Sequence, residues 1–204
     1  MTENRLSRPS AAAFGAGCAL LLCLPLRCAA LDQGTLPVRL GVGTMLVLLA
    51  MLSLLFLRRE GYGRRVFLPL LLPIALALLL RALALDHITY DYRDFLSQWA
   101  AFFRERGGFA AIREPVGDYN VPYLYFMAAI SYLPVPDLYA IKLFSILFDV
   151  ILAWGGLRLV RTLGGNGKQP IAAFLLLLFL PTVVLNGSLW GQCDSCLLYT
   201  SRCV

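Results

Sequence analysis

Charge is scarce in this sequence. Of 204 residues only 15% are Asp, Glu, Lys or Arg, while 59% are hydrophobic, and mean hydropathy is +0.73. Soluble domains carry about 25% charged residues, so the chain lacks the polar surface that a water-soluble fold needs. Histidine is nearly missing, with His87 alone, which argues against a structural metal site. Six cysteines make no disulfide framework. Cys18, Cys23 and Cys28 lie in an apolar run, where a thiol behaves as a small hydrophobe, and Cys193, Cys196 and Cys203 crowd one end without zinc-type spacing. Phosphate-loop, nucleophile-elbow, HExxH and dinucleotide fingerprints are all lacking. So are Gly/Ser linkers, low-complexity tracts and a clear internal repeat, and one membrane domain is the simplest organisation.

What is there is a series of long apolar runs. Six candidate membrane segments are expected: Ala11–Leu31, Val38–Leu57, Val66–Leu85, Val121–Leu133, Tyr139–Leu157 and Pro170–Trp190. A crossing needs about 20 residues at 1.5 Å each. The first segment carries Pro25 and Arg27; it is read as a retained helix, because no small-x-small cleavage pattern follows it before Asp32. Val121–Leu133 is short and Pro-flanked. A full crossing there would put the basic stretch 158–168 on the outer side, whereas a re-entrant or interfacial course would put it inside, and the sequence leaves both open. The net charge of +6 gathers in short loops beside the apolar runs, a pattern of membrane orientation and not of nucleic-acid binding. Arg5, Arg8, Arg58, Arg59, Arg64 and Arg65 place the N-terminus in the cytoplasm and loop 86–120 outside.

That loop is where chemistry is expected. As a helix, it aligns Asp91, Phe95 and Trp99 on one face, with Asp94 three residues from Asp91. Partial burial and a like-charged neighbour both raise a carboxyl pKa, which suits a proton acceptor. An interfacial amphipathic helix with no catalytic role has the same pattern. The run Asp118-Tyr119-Asn120-Val-Pro-Tyr123 offers amides and aromatic rings to a sugar or lipid headgroup, or else an aromatic belt. Arg81 is expected to reach the interface or a lipid phosphate, Lys142 to snorkel, and Asp149 to mark a functional or packing site within its apolar run.

Several of these stretches occur in a recognisable order: Asp91-Tyr-x-x-Phe-Leu-x-x-Trp99, Gly107-Gly-Phe, Asp118-Tyr-Asn-x-Pro-Tyr-Leu-Tyr, Ile141-Lys-Leu-x-Ser-Ile-Leu-Phe-Asp149 and Asn186-Gly-Ser-Leu-Trp-Gly-Gln-Cys-Asp-Ser195. From about Arg81 to Ser195 the chain resembles the bacterial relatives of the GPI-anchor mannosyltransferase, in the GT-C superfamily of polytopic glycosyltransferases. The resemblance implies an all-α transmembrane bundle in the bacterial plasma membrane. It implies transfer of a mannose-like hexose from a polyprenyl-phosphate sugar donor to a glycan or lipid acceptor on the outer face. Asp91 is then the expected general base, with Asp94 in reserve. Arg81, Trp99, Asp118, Tyr119, Asn120, Tyr123, Trp190, Gln192 and Asp194 are the expected substrate-binding set, with no cofactor, no obligatory metal and no nucleic acid. A transporter of lipid-linked glycans or a non-catalytic assembly subunit is the rival reading.

The resemblance breaks off after Ser195. Residues 196–204 read Cys-Leu-Leu-Tyr-Thr-Ser-Arg-Cys-Val, and the first six match one frame of a common sequencing adapter. Residues 1–195 are therefore expected to be the N-terminal part of such a domain, and 196–204 a non-native tail; the alternative is a natural short end.

Overall fold

The computed structural model describes residues 7–114, 116, 121–192 and 194. Asp118, Tyr119, Asn120 and residues 196–204 lie outside them. The described residues are all-helical. Three helices are long and apolar enough to cross a membrane: α1 (Arg8–Ala29), α2 (Leu36–Arg59) and α7 (Asp137–Thr162). A fourth crossing is available if a bent pair counts as one span.

Three of the six expected segments are not single long helices. The third is broken into α3 (Arg64–Phe67) and α4 (Leu71–Leu83). Pro69 has no N–H and disfavours helix in the residue before it. Around it the backbone tightens, with Leu70 N–H bonded to Phe67 O at 3.2 Å and Leu71 N–H to Leu68 O at 3.1 Å. The fourth, α6 (Val121–Ile130), has 10 residues, about 15 Å of helix against the ~30 Å of a bilayer core. The sixth is α8 (Gln169–Phe179) joined at Pro181 to α9 (Pro181–Val184) and the π turn Leu185–Trp190, with a 46° bend.

The open question about α6 is decided by tertiary contacts. On one side of it, α4 ends at Leu83; on the other, α7 begins at Asp137. Those two ends meet: Tyr139 Oη donates to Asp86 Oδ1 at 2.7 Å, and Lys142 Nζ donates to the carbonyls of Ala84, Leu85 and His87 at 2.8, 3.0 and 2.6 Å. The chain between α4 and α7 therefore leaves and re-enters the bundle at one end, and α6 packs there with α5 and the start of α7. Lys142 does not snorkel. It is 1% exposed and binds the carbonyls of the turn that follows α4, where a cation also opposes the helix dipole.

The same end ties α1 and α2 together. Arg27 Nη2 lies 3.4 Å from Asp86 Oδ2, the Asp32 N–H donates to Asp86 Oδ1 at 3.0 Å, and the Gln33 N–H donates to Tyr139 Oη at 2.9 Å. Arg27, the awkward charge of the first segment, thus has an acidic partner. At the other end Glu60, the C-cap of α2, meets Trp154, Arg158 and Arg161 of α7.

Between the two ends α1 lies along α4 and α2, and α7 lies along α8 and α2. The crossings are close: a Cβ at Gly43 would stand 2.5 Å from Pro25 Cα, and one at Gly17 2.7 Å from Leu72 N. Small residues of this kind let helix backbones approach inside a membrane. A second apolar core, formed by Leu96, Phe103, Tyr123, Met127 and Ile141 among others, joins α5 (Ser97–Glu105) and α6 to the start of α7. This lobe sits at the Asp86 end and carries the candidate site.

Candidate functional site

The helix that carries Asp91 starts at Thr89. Its Oγ1 accepts the Tyr92 N–H at 3.2 Å, the geometry of a helix N-cap. Asp91 follows in the first turn. Residues Tyr92–Leu96 then form a π turn before α5. A π turn closes i to i+5 bonds and adds a residue to the turn, so the face expected from α-helical spacing is altered. Phe95 and Trp99 remain neighbours, with ring centroids 6.3 Å apart.

Asp94 departs from expectation. Its carboxylate accepts from Arg93 Nε at 3.0 Å, and hydrogen bonds from Arg93 and Tyr90 hold its pKa below the usual carboxylate value. The like-charge elevation expected from Asp91 does not govern it, because hydrogen bonds to the ionised form favour that form. Asp94 is a ligand of its own helix's cation, a poor reserve base.

A second π turn, Leu185–Trp190, leads to the residue that meets Asp91. Gly191 follows with φ +71°, a left-handed conformation that favours glycine. It reverses the chain, so that the Gln192 N–H donates back to Asn186 O at 2.9 Å while Asn186 Nδ2 donates to Asp194 Oδ2 at 2.9 Å. The loop so closed points Gln192 Nε2 at Asp91 Oδ2, 3.4 Å away. Asp91 and Gln192, distant in sequence, meet here, and Asp194 is held to the same loop by Asn186. Trp190 is 43% exposed beside it. A π turn thus follows Asp91 and another precedes Gln192; such turns concentrate at functional sites.

Beneath this cluster lies a buried ion pair. Arg81 is 0% and Asp149 1% exposed, and Arg81 Nε donates to Asp149 Oδ2 at 3.2 Å. Arg81 Nη1 also donates to Ala77 O at 3.1 Å and Leu178 O at 2.9 Å. Arg81 therefore does not reach the interface as expected. In an apolar interior a guanidinium is far better held by a carboxylate and two carbonyls than left single.

The pair touches the site through Gly187. A Cβ there would lie 3.0 Å from Asp149 Cγ and 3.1 Å from Oδ1, and closer still to Oδ2. Replacing a helical glycine by alanine normally gains about 0.5–1 kcal/mol, but overpacking costs about 1–3 kcal/mol, so the steric effect wins. Gly187→Ala is expected to lower the thermal midpoint, read by circular dichroism in detergent; an unchanged or higher midpoint would show that the π turn has room.

Tyr123, expected among the binding residues, is 6% exposed. Its ring sits against Phe126 and Phe144, with centroids 5.7 and 6.4 Å away. It is a core residue of the lobe, not an open platform.

No protein-family profile, curated protein or solved structure matches this chain. The site therefore stands on its own geometry.

Sequence reading missed Thr89, Asp86 and Tyr139, whose roles depend on contacts across the bundle. It also left Arg81 and Asp149 as separate residues. The available signal was complementarity: one arginine and one aspartate, each inside an apolar run.

Proposed function

We propose that this chain is a membrane glycosyltransferase of GT-C type that moves a mannose-like hexose from a polyprenyl-phosphate carrier to an acceptor hydroxyl, with Asp91 as general base. The observation that carries this reading is the approach of Gln192 Nε2 to Asp91 Oδ2. It unites the first and last stretches of the ordered resemblance, 101 residues apart, at one helical end.

The chemistry is an inverting displacement. The acceptor O–H proton passes to the Asp91 carboxylate as the acceptor oxygen bonds to the sugar's anomeric carbon. The bond from that carbon to the carrier phosphate oxygen breaks, and the phosphate leaves with the electron pair. A carboxylate near the surface, with one oxygen oriented by an amide, suits the first step. Trp190 and Trp99 offer apolar faces to a sugar ring. Arg81, locked to Asp149, is left out of the lipid-phosphate contact expected of it.

Orientation agrees with this. Arg8, Arg58, Arg59, Arg64, Arg65, Arg158, Arg161 and Lys168 belong to the Glu60 end, against Arg27, Arg39, Arg93, Arg104, Arg106 and Arg113 at the Asp86 end, a positive-inside bias that supports a cytoplasmic Glu60 end and an outer Asp91.

The test is sugar transfer in proteoliposomes from a polyprenyl-phosphate mannose donor to a glycolipid acceptor. The assay uses the full chain. Transfer at the donor-accessible outer face supports the reading. Movement of lipid-linked glycan across the bilayer with no transfer would replace it with the transporter.

A further inference from the structure

The Glu60 end of the bundle holds an array of cations that the site does not use. Arg58 and Arg59 close α2, Arg64 and Arg65 open α3, and Arg158, Arg161 and Lys168 lie at the end of α7 and in its turn to α8. Glu60 is the single carboxylate at this end among the described residues, and its oxygens are already engaged. Oε1 accepts from Trp154 Nε1 at 2.9 Å and lies 3.6 Å from Arg158 Nε; Oε2 lies 2.8 Å from Arg161 Nη1.

These bonds dock the end of α7 on the end of α2. They are reinforced by the Phe56–Trp154 stack at 4.5 Å and by Arg158 over the Trp154 ring at 5.3 Å. The docking brings together two basic loops that lie about a hundred residues apart. Arg58, Arg59, Arg64 and Lys168 are exposed, and no carboxylate among the described residues lies within ion-pair distance of them.

The surface just inside this rim is apolar and also exposed: Leu55 on α2, Val66 on α3, and Leu159 and Leu163 at the end of α7. Leu55 stands one helical turn from Arg58 and Arg59. A molecule that fits must therefore offer anionic oxygens at the arginines and hydrocarbon at the leucines. Guanidinium groups match phosphate oxygens in paired hydrogen bonds, and basic clusters flanking membrane helices attract anionic headgroups.

We propose that this end is a binding surface for anionic glycerophospholipids of the surrounding bilayer. Their phosphates sit among Arg58, Arg59, Arg64 and Lys168, and their acyl chains lie along Leu55, Leu159 and Leu163. Nothing in this depends on sugar transfer, so the proposal stands or falls apart from the glycosyltransferase reading.

The experiment titrates the purified full chain in neutral detergent with phosphatidylglycerol or phosphatidylcholine and counts retained lipids by native mass spectrometry. Phosphatidylglycerol is expected to be retained about tenfold better, and the preference to shrink as salt rises from about 0.05 to about 0.5 M. The triple variant R58Q/R59Q/R64Q should lose most of that preference. The triple lysine variant should keep it, and R106Q, at the other end, should not alter it. Helicity is checked for each; if the glutamine variant does not fold, the lysine variant and the salt series decide. Equal retention of the two lipids by the parent chain, a salt-independent preference, or an unchanged preference in the folded glutamine variant would overturn the proposal.

Discussion

Asp91→Ala is expected to reduce sugar transfer by about 10²–10⁴-fold, the usual contribution of a positioned general base, while leaving the helical fold in place. The structural part follows from where Asp91 sits. It is half-buried in the first turn of its helix, and its carboxylate meets Gln192 at 3.4 Å. Removing a long hydrogen bond at a partly solvated site alters stability by about 1 kcal/mol. Asp91→Asn, which keeps the shape and can still meet an amide, should lose transfer to a similar degree, because the loss is one of basicity. Asp94→Asn is the internal control. Its carboxylate is occupied by Arg93 and Tyr90, and its replacement should leave turnover within a few-fold of the parent. Rates measured in proteoliposomes, with circular dichroism on each variant, check both statements. Full transfer by a folded Asp91→Ala protein would remove Asp91 from the mechanism.

The largest expected effect on stability lies deeper in the bundle. Asp149→Ala leaves the Arg81 guanidinium without its carboxylate in a position of 0% exposure. Stranding one partner of a buried pair costs about 3–5 kcal/mol. The two carbonyls of Ala77 and Leu178 soften this but do not neutralise the charge. Removing both charges is a different matter, since a well-packed apolar pair often matches a buried ion pair. Arg81→Met combined with Asp149→Leu should therefore recover most of the loss. Unfolding midpoints in mixed micelles for the parent, each single variant and the double variant form the required cycle. A single variant as stable as the parent would show that the pair contributes nothing. A double variant no better than Asp149→Ala would show that charge is not the cause.

The two predictions meet at Gly187. Asp149 packs against the π turn whose continuation carries Gln192 to Asp91. The buried pair and the surface carboxylate are thus joined through one tightly packed backbone segment.

Much of this architecture is legible in the order of the residues. Continuous apolar runs of about 20 residues suit helices in lipid, since a helix of that length spans the hydrocarbon and satisfies its own backbone groups. The helices α1, α2 and α7 fall close to their expected bounds, since length and composition determine them locally. The break at Pro69 and the bend at Pro181 are also local, and their prolines stand in plain sight. Asp91 and Gln192 are both candidates on sequence grounds, and the fold brings them together.

What composition and spacing do not contain is who faces whom. Tyr123 reads as an exposed aromatic but is enclosed by Phe126 and Phe144. Lys142 reads as a snorkelling cation but binds the turn that follows α4. The course of α6 is open in sequence and is decided by Asp86 meeting Tyr139. Each depends on residues far apart along the chain.

The amino-acid sequence by itself determined that this protein is helical, where its long apolar helices run, and which carboxylates stand outside them. Only the tertiary structure decided that α6 returns to the end it left, that Arg81 belongs to Asp149, and that Asp91 answers to Gln192. The reason is physical. Hydrophobicity and proline act within a few residues, whereas a buried charge finds its partner only once the helices have packed.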